Sequence, residues 1–457
     1  MTKLHITMND HVTLLPARLK CLEQLTEVSR RASGSTLVLV TLAEATHFNQ
    51  ILRALGQGFA EDFVRNGAER LVAGLGGERE VFHVSVLSFA FVVGPDQVLC
   101  KRGEPAIAAM LKRIFERPIT IDSIPIKPEV GVGLMPLDDP EREAAESLRA
   151  ALTAAQDSRR ERAGWSWYDH KSDAAHQRAF QLLTDLMPAI ERNELSLHYQ
   201  PRIDLGSMKC MSCEALLRWK HPRLGWVSPG EFIPLAETTA IVVPLTEWVV
   251  QEAISQVKAW RDRGTCVNMS VNVSARNLAV PGFPGSLMKK ITQAGLTADA
   301  FEIEITESTF LQSNQLVTEQ IQKLRDFGIE VAIDDFGSGY SNLNYLAELN
   351  AGILKIDQSF VRKIADPAGR FLLRQIVTLG KGLGFSVVAE GVEDQGSLDF
   401  LRSLGCDEVQ GYHFAKPLDK DDFVRWFDGW EAQLHSRIAK PRREPGHRRG
   451  EDRVAEL

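Results

Sequence analysis

Residues 316–335 read LVTEQIQKLRDFGIEVAIDD, and the order of features in that stretch decides how most of the chain is built. Leu316 and Leu324 lie on a helical face and Gly328 stops the helix. Ile329 to Ile333 then form a short apolar strand that ends at Asp334 and Asp335. The same phrase recurs on both sides. Helical periodicity through Leu245, Trp248, Val249, Ile254, Val257 and Trp260 stops at Gly264 before a strand-like Val267 to Val273. Other helices stop at Gly384 before Phe385 to Ala389, and at Gly405 before Glu408 to Phe414. Alternating helix and strand implies a mostly parallel sheet. Eight strand candidates can be counted: His198–Arg202, Glu214–Trp219, Val267–Val273, Phe301–Thr306, Ile329–Asp334, Ile353–Asp357, Phe385–Glu390 and Val409–Phe414. Eight favours closure into a (β/α)8 barrel over an open sheet.

A chain of 457 residues exceeds one ordinary domain. With 44% hydrophobic and 25% charged residues, it can bury more than one core. Three regions precede the end of the chain: a first unit at 1–168, a helical connector at 169–194, and the barrel at 195–433. The tail at 434–457 holds Arg437, Lys440, Arg442, Arg443, Arg448 and Arg449 among Pro and Gly. It has little to bury and reads as disordered, with a basic partner-binding tail as the alternative.

A net charge of −7 argues against coating long nucleic acids, though not against a small phosphorylated ligand. The best candidate for a membrane span, Val81 to Val93, is short and interrupted by His83 and Ser85. MTKLHITMNDH lacks a signal-peptide pattern. Of the cysteines (Cys21, Cys100, Cys210, Cys213, Cys266, Cys406), only Cys210 and Cys213 form a C-x-x-C. They precede a strand, where residues three apart point to opposite faces, so a chance pair is favoured over a redox or zinc site. The expected compartment is the cytoplasm.

Nearly every predicted strand carries a polar or ionisable residue, within it or at its C-terminal end: Gln200, Glu214, Asn272, Glu304, Asp334 with Asp335, Lys355, Glu390 and Gln410. A barrel brings the C-terminal ends of its strands to one face, where these side chains could converge. Packed together, the carboxylates would repel and raise one another's pKa values, and bound cations resolve that conflict. Such oxygen-rich donors suit Mg²⁺ or Mn²⁺.

The segments carrying these residues resemble, in order, the motifs of the EAL family of cyclic di-GMP phosphodiesterases. They are Tyr199-Gln200-Pro201, Glu214-Ala215-Leu216-Leu217-Arg218-Trp219, Ser270-Val271-Asn272-Val273-Ser274, Glu304-Ile305-Thr306-Glu307 and Asp334-Asp335-Phe336-Gly337-Ser338-Gly339-Tyr340-Ser341. Lys355-Ile356-Asp357, Glu390-Gly391-Val392-Glu393 and Gln410-Gly411-Tyr412 complete the series. The resemblance covers roughly Ala179 to Trp430 and implies a TIM-like barrel that hydrolyses cyclic di-GMP to linear pGpG with two Mg²⁺ or Mn²⁺ ions.

It further implies that Glu214, Asn272, Glu304, Asp334 and Asp335 are metal ligands, Asp335 bridging both ions. Glu390 would hold water near the metals and Lys355 would stabilise or deprotonate the nucleophile. Gln200 and Arg218 would contact substrate, Arg218 as a cation near a phosphate. Gln410 would do likewise or, with Glu393, support Lys355 and the water. Glu307 would anchor the loop after Asp335, with Gly337 and Gly339 giving that loop its mobility. A homodimer through the barrel belongs to the same resemblance.

Plainer readings stand beside these. Lys355 could be a buried salt-bridge partner of Asp357 or Glu390, Glu393 and Gln410 could be packing residues, and Asn272 could form a turn. Ser338, Asn277 and Ala240 depart mildly from the family's usual Thr, Gln and Gly, and none is a metal ligand.

The first unit resembles a GGDEF domain, an α+β cyclase-like fold, that has lost its chemistry. Leu14-Leu15-Pro16-Ala17-Arg18, the helical stretch Phe48 to Leu71 and Gly131-Val132-Gly133-Leu134 carry the resemblance. At the signature turn the chain reads Ser85-Val86-Leu87-Ser88-Phe89, without the glycines and the acid that triphosphate and metal would need. Leu52 replaces a guanine-recognising Asn, Glu44 is left as an acid without a partner, and the Arg-x-x-Asp inhibitory site is missing. A GTP-sensing, dimerising or protein-binding role remains for this unit, with structural contacts favoured. The rival to an active enzyme is a catalytically silent cyclic di-GMP receptor or scaffold, and a third reading is a pure interaction module. Retention of Glu214, Glu304, Asp334, Asp335, Lys355 and Glu390 favours the enzyme.

Overall fold

Thr36–Thr41 (β1) alternates strictly between two cores. Leu37 and Leu39 are buried with Phe82 and Ala151, while Val38 and Val40 are buried with Phe63, Phe89 and Phe91. A sheet with both faces covered follows from that pattern. The computed structural model describes residues 9–31, 34–77, 80–95, 104–159, 164–307, 309, 315–337 and 351–438. It divides into units Met1–Arg178 and Ala179–Leu457.

In the first unit, β1 pairs antiparallel with Ser88–Val93 (β3) and with Gly131–Pro136 (β6). Phe82–Ser85 (β2) and Ser166–Trp167 (β7) form the edges, in the order β2-β3-β1-β6-β7. Ile119–Ile121 (β4) and Ile124–Ile126 (β5) make a separate hairpin. A Cβ at Gly133 would stand 2.0 Å from the Ala151 carbonyl oxygen of helix Ala144–Asp157. The glycines of β6 therefore set how closely that helix lies on the sheet.

The second unit is a closed barrel. Its strands are Leu195–Asp204 (β8), Cys210–His221 (β9), Asn268–Asn272 (β11), Phe301–Thr306 (β12), Glu330–Phe336 (β13), Ile353–Ile356 (β14), Ser386–Ala389 (β15) and Glu408–Gln410 (β16). A short strand, Gly225–Val227 (β10), pairs with the outer end of β9. Pairing of β8 with both β9 and β16 closes the ring. The glycine-terminated helices cover the outside: Val242–Asp262, Gln315–Asp326, Pro367–Gly382 and Gln395–Leu404.

Three features depart from the sequence reading. β8 runs antiparallel to both neighbours, so its N-terminal end, with Leu195 opposite Trp219, lies beside the C-terminal end of β9. β16 ends at Gln410 rather than Phe414. Beyond it Gly411 turns so tightly against residue 392 that a Cβ there would meet the Val392 carbonyl oxygen at 2.1 Å. The last helix runs Lys420–Ile438, so residues 434–438 continue a helix, and the rest of the predicted tail lies outside the described residues. Cys210 and Cys213 are free and buried, and burial raises both thiols far above their ordinary range, which suits packing and not thiolate chemistry. Among the described residues, no helix is long and apolar enough to cross a membrane.

Candidate active site

Alternation along each strand sends every second side chain into the barrel, and the inward set here is charged. Glu214 of β9, Glu304 of β12 and Asp334 of β13 bring carboxylate oxygens within 4.8 Å of one another, and all three residues are buried. Lys355 of β14, fully buried, stands among them. Its Nζ is 2.7 Å from Glu390, 2.8 Å from Glu304, 3.0 Å from Asp334 and 3.7 Å from Glu214. Of the plainer alternatives for Lys355, the structure provides Glu390 as a partner. Asp357 instead caps helix Gln358–Val361, its Oδ1 accepting from the Ser359 amide.

Amides hold the acids in place. Asn272 Nδ2 donates to Glu214 Oε1 at 2.9 Å, and Gln410 Nε2 donates to Glu214 Oε2 at 2.7 Å and to Gln200 Oε1 at 3.0 Å. Gln200 Nε2 in turn reaches the Ala415 carbonyl at 3.2 Å. Gln410 is thus engaged with Glu214 and not with Lys355.

The adjacent pair Asp334 and Asp335 depends on a backbone irregularity. A regular strand would send consecutive residues to opposite faces, but the β13–β14 register shifts between Ile333 and Phe336, and Asp335 has φ 54°. Asp334 stays buried while Asp335 is exposed and opens on the cavity beside it. Gly337 follows at φ +91°, its amide donating to Glu307 Oε2 at 3.0 Å. A Cβ there would approach the Phe360 ring to 2.6 Å, so only glycine fits that step. Ser338, Gly339, Tyr340 and Ser341 lie outside the described residues.

Burial sets the ionisation of the cluster, and its charges modulate it. Glu304 is pushed well up by desolvation and then by Glu214 and Asp334, against the pull of Lys355. Desolvation and the neighbouring acids raise Glu390 to about 7, and desolvation with Asp334 raises Asp335 to about 6. Glu214 is also pushed up by burial, but Lys355 and the Gln410 and Asn272 hydrogen bonds outweigh this and its pKa falls. For Lys355 burial pulls down, yet the surrounding carboxylates hold it charged. Both Glu304 oxygens are buried without a donor in hydrogen-bond geometry. Carboxylate oxygens that face cations yet accept no hydrogen bond, a surplus of carboxylates and no thiolate among the donors fit a hard divalent cation.

A cavity of about 350 Å³ opens above the cluster, lined among others by Gln200, Arg218, Asp335, Gln358, Glu393 and Tyr412. Arg218 is half-buried on its wall. Glu393 sits at the rim, largely exposed and 3.8 Å from Arg362, so its carboxylate faces that guanidinium and not Lys355. Sequence reasoning gave no role to Arg362 or Tyr412. Tyr412 closes the Gln410-Gly411-Tyr412 motif and Arg362 lies five residues past Asp357, and only the fold shows that they line this cavity. A larger cavity, about 500 Å³, lies in the first unit and is walled by Val12, Phe48, Leu52, Val64, Val84 and Val86. It adjoins the turn after β2 and is mainly apolar.

The EAL domain profile matches residues 183–417, just over half of the chain. The chain belongs to the EAL domain family. A second profile, diguanylate cyclase GGDEF domain, matches residues 7–164, so the EAL domain follows a GGDEF domain in tandem. Among curated relatives, "Cyclic di-GMP phosphodiesterase PA2567" of Pseudomonas aeruginosa is 36% identical over 420 residues, covering 91% of this chain and 71% of that protein. "Cyclic di-GMP phosphodiesterase PdeR" of Escherichia coli is 31% identical, covering 93% of this chain but 64% of that protein. The chain therefore spans about two thirds of the length of these relatives. A solved structure, "PaMucR Phosphodiesterase, c-di-GMP complex", is 39% identical with a TM-score of 0.51, covering 53% of this chain and 99% of that chain.

Proposed function

We propose that the barrel hydrolyses cyclic di-GMP to linear pGpG, and that the first unit is a GGDEF domain without cyclase chemistry. The observation that carries the reading is the buried Glu214–Glu304–Asp334 triad around Lys355, below a cavity lined by Gln200 and Arg218. Supporting it are the two phosphodiesterase relatives and the cyclic di-GMP complex of the similar barrel.

Glu214, Asn272, Glu304, Asp334, Asp335 and Glu390 would hold two Mg²⁺ or Mn²⁺ ions. When bound, such ions supply water activation and charge neutralisation at the scissile phosphate. The remaining work falls to the protein. Arg218 pairs with a phosphate, Gln200 fixes the ligand's approach, and Glu390 orients the attacking water. Lys355 stabilises the developing negative charge, and Gln410 keeps Glu214 in its ligating rotamer. Glu393 supports the site only through the rim, by way of Arg362. Residues 195–433 form the working domain and 169–194 its approach, and a homodimer through the barrel in the cytoplasm is part of the same proposal. In the first unit, Val86 and Leu87 occupy the turn where a triphosphate would need backbone access, and Leu52 offers no hydrogen bond to a base. That unit is assigned structural or protein contacts.

Full-length protein with Mg²⁺ or Mn²⁺ should convert cyclic di-GMP to pGpG, followed by chromatography, and Glu214→Ala should abolish this. Tight binding without conversion in the unaltered protein would overturn the enzyme reading in favour of a silent receptor.

A further inference from the structure

Below the acidic triad lies a second ionic cluster that the proposed reaction does not use. Arg202 of β8 is buried to 1% exposure inside the barrel. Its Nη1 is 2.6 Å from Glu302 Oε1, its Nε is 3.0 Å from Glu408 Oε2, and its Nη1 is 3.7 Å from Glu304 Oε1. Ser212 Oγ adds a hydrogen bond to Glu408 Oε2 at 3.2 Å.

The arrangement follows from register. Arg202 lies opposite Ser212 on one side and Gln410 on the other, one layer beneath the Gln200–Glu214 pair. Glu302 and Glu304 are two apart on β12 and so share its inner face. Glu304 is therefore held between two cations. Oε1 faces the Arg202 guanidinium from below and Oε2 faces the Lys355 ammonium at 2.8 Å.

A guanidinium suits this place where an ammonium would not. Its planar fork reaches Glu302 and Glu408 at once from a fixed position, whereas a lysine offers one compact charge. Its charge also offsets two carboxylates that would otherwise face Glu304 across a dry interior. Freed of Arg202, Glu304 would be pushed away from Glu302 and would lose the neighbour that orients its lower oxygen.

We propose that Arg202 is a positioning residue for the divalent-metal site, a cation in the barrel floor that sets the orientation of Glu304 and hence metal affinity. The inference rests on the reading of Glu304 as a ligand. It concerns residues below the cluster, with no contact to the substrate cavity.

The test is Mn²⁺ binding to the purified full-length protein, read from the spin-resonance signal of free Mn²⁺ without substrate or turnover. Arg202→Met should weaken binding about tenfold or more, the usual scale for residues that orient metal ligands. Arg202→Lys should recover part of the loss. Glu302→Gln with Glu408→Gln, keeping Arg202, should leave affinity within about twofold, since the contact to Glu304 survives. If Arg202→Met does not fold, the triple variant Arg202→Met, Glu302→Gln, Glu408→Gln, neutral in the floor, carries the measurement, with the same tenfold loss expected. Wild-type affinity in a folded protein lacking Arg202 would overturn the proposal. Glu304→Gln separates the two readings. If it too leaves Mn²⁺ affinity unchanged, the ligand assignment fails. If it abolishes binding while Arg202→Met does not, only the positioning role fails.

Discussion

Replacing Lys355 by Met separates a structural cation from a catalytic one. Lys355 lies within 3.7 Å of four carboxylates and is fully buried. Removing one partner of a buried ionic cluster costs roughly 3–5 kcal/mol, because the remaining charges lose their compensation. For a unit of this size each kcal/mol lowers the midpoint by about 2–4 °C, so a fall of roughly 6–20 °C is expected in the presence of a chelator. The carboxylates of the variant should take up protons more readily, and the deficit should shrink when the pH is lowered from 7.5 to 5.5. With Mn²⁺ bound, the ions replace the missing charge and most of the thermal deficit should disappear, while pGpG formation stays about 10²-fold or more below wild type. Thermal melts with chelator and with Mn²⁺, paired with chromatography of products, give both quantities. A midpoint unchanged in chelator, or lowered equally with and without Mn²⁺, would refute the view that Lys355 and the metals compensate the same carboxylates.

Other outcomes follow from the same geometry. Asp335 and Glu390 titrate near 6 and 7, above their unfolded values, so between about pH 4 and 7 the folded state holds the extra protons and stability falls as pH rises. Metal-free protein should therefore melt higher at pH 5.5 than at pH 7.5, and saturating Mn²⁺ should flatten or reverse that slope, as scanning calorimetry would show. Glu307→Ala removes the acceptor of the Gly337 amide. It should cut kcat roughly tenfold to a hundredfold through misplacement of the acidic strand end, while the melting midpoint falls by roughly 2–12 °C, the cost of about 1–3 kcal/mol for one lost acceptor.

The barrel was legible because its helices end on glycines, at Gly264, Gly384 and Gly405, each with positive φ, and its strands begin a few residues later. The direction of β8 was not legible, since Tyr199-Gln200-Pro201 reads the same in either orientation and only pairing with β9 and β16 fixes it. The candidate site was legible as residue types on successive strands, yet not as geometry. Nothing local marks Asp335 as the bulged, exposed member of its pair, or turns Glu393 outward to Arg362. Arg202 was invisible for a different reason. An arginine two positions from the polar Gln200 and Asp204 on either side reads as part of a solvated strand face, and its three acidic neighbours lie about one hundred and two hundred positions away in the chain. In the first unit β1 is a continuous apolar run, Leu37 to Val40, which carries no alternation to tell its two buried faces apart, and the cavity walled by Val12, Leu52 and Val86 needed three separate segments to meet.

The ring closes only when β8 finds β16, an antiparallel seam joining residues 202–204 to residues 408–410. Ribosomal synthesis adds about 5–20 residues per second, so the first strand of the barrel waits on the order of ten to forty seconds for its last partner. Throughout that interval the nascent sheet has two unpaired edges, one of them the last strand made, which are templates for pairing with other chains. The early β8–β9 hairpin shortens the exposure on one side, since its partners are adjacent in sequence. Any truncation before Glu408 would make the open form permanent. Aggregation of such fragments, and dependence of the growing chain on holdase chaperones, follow from where in the sequence the last staves of the barrel were placed.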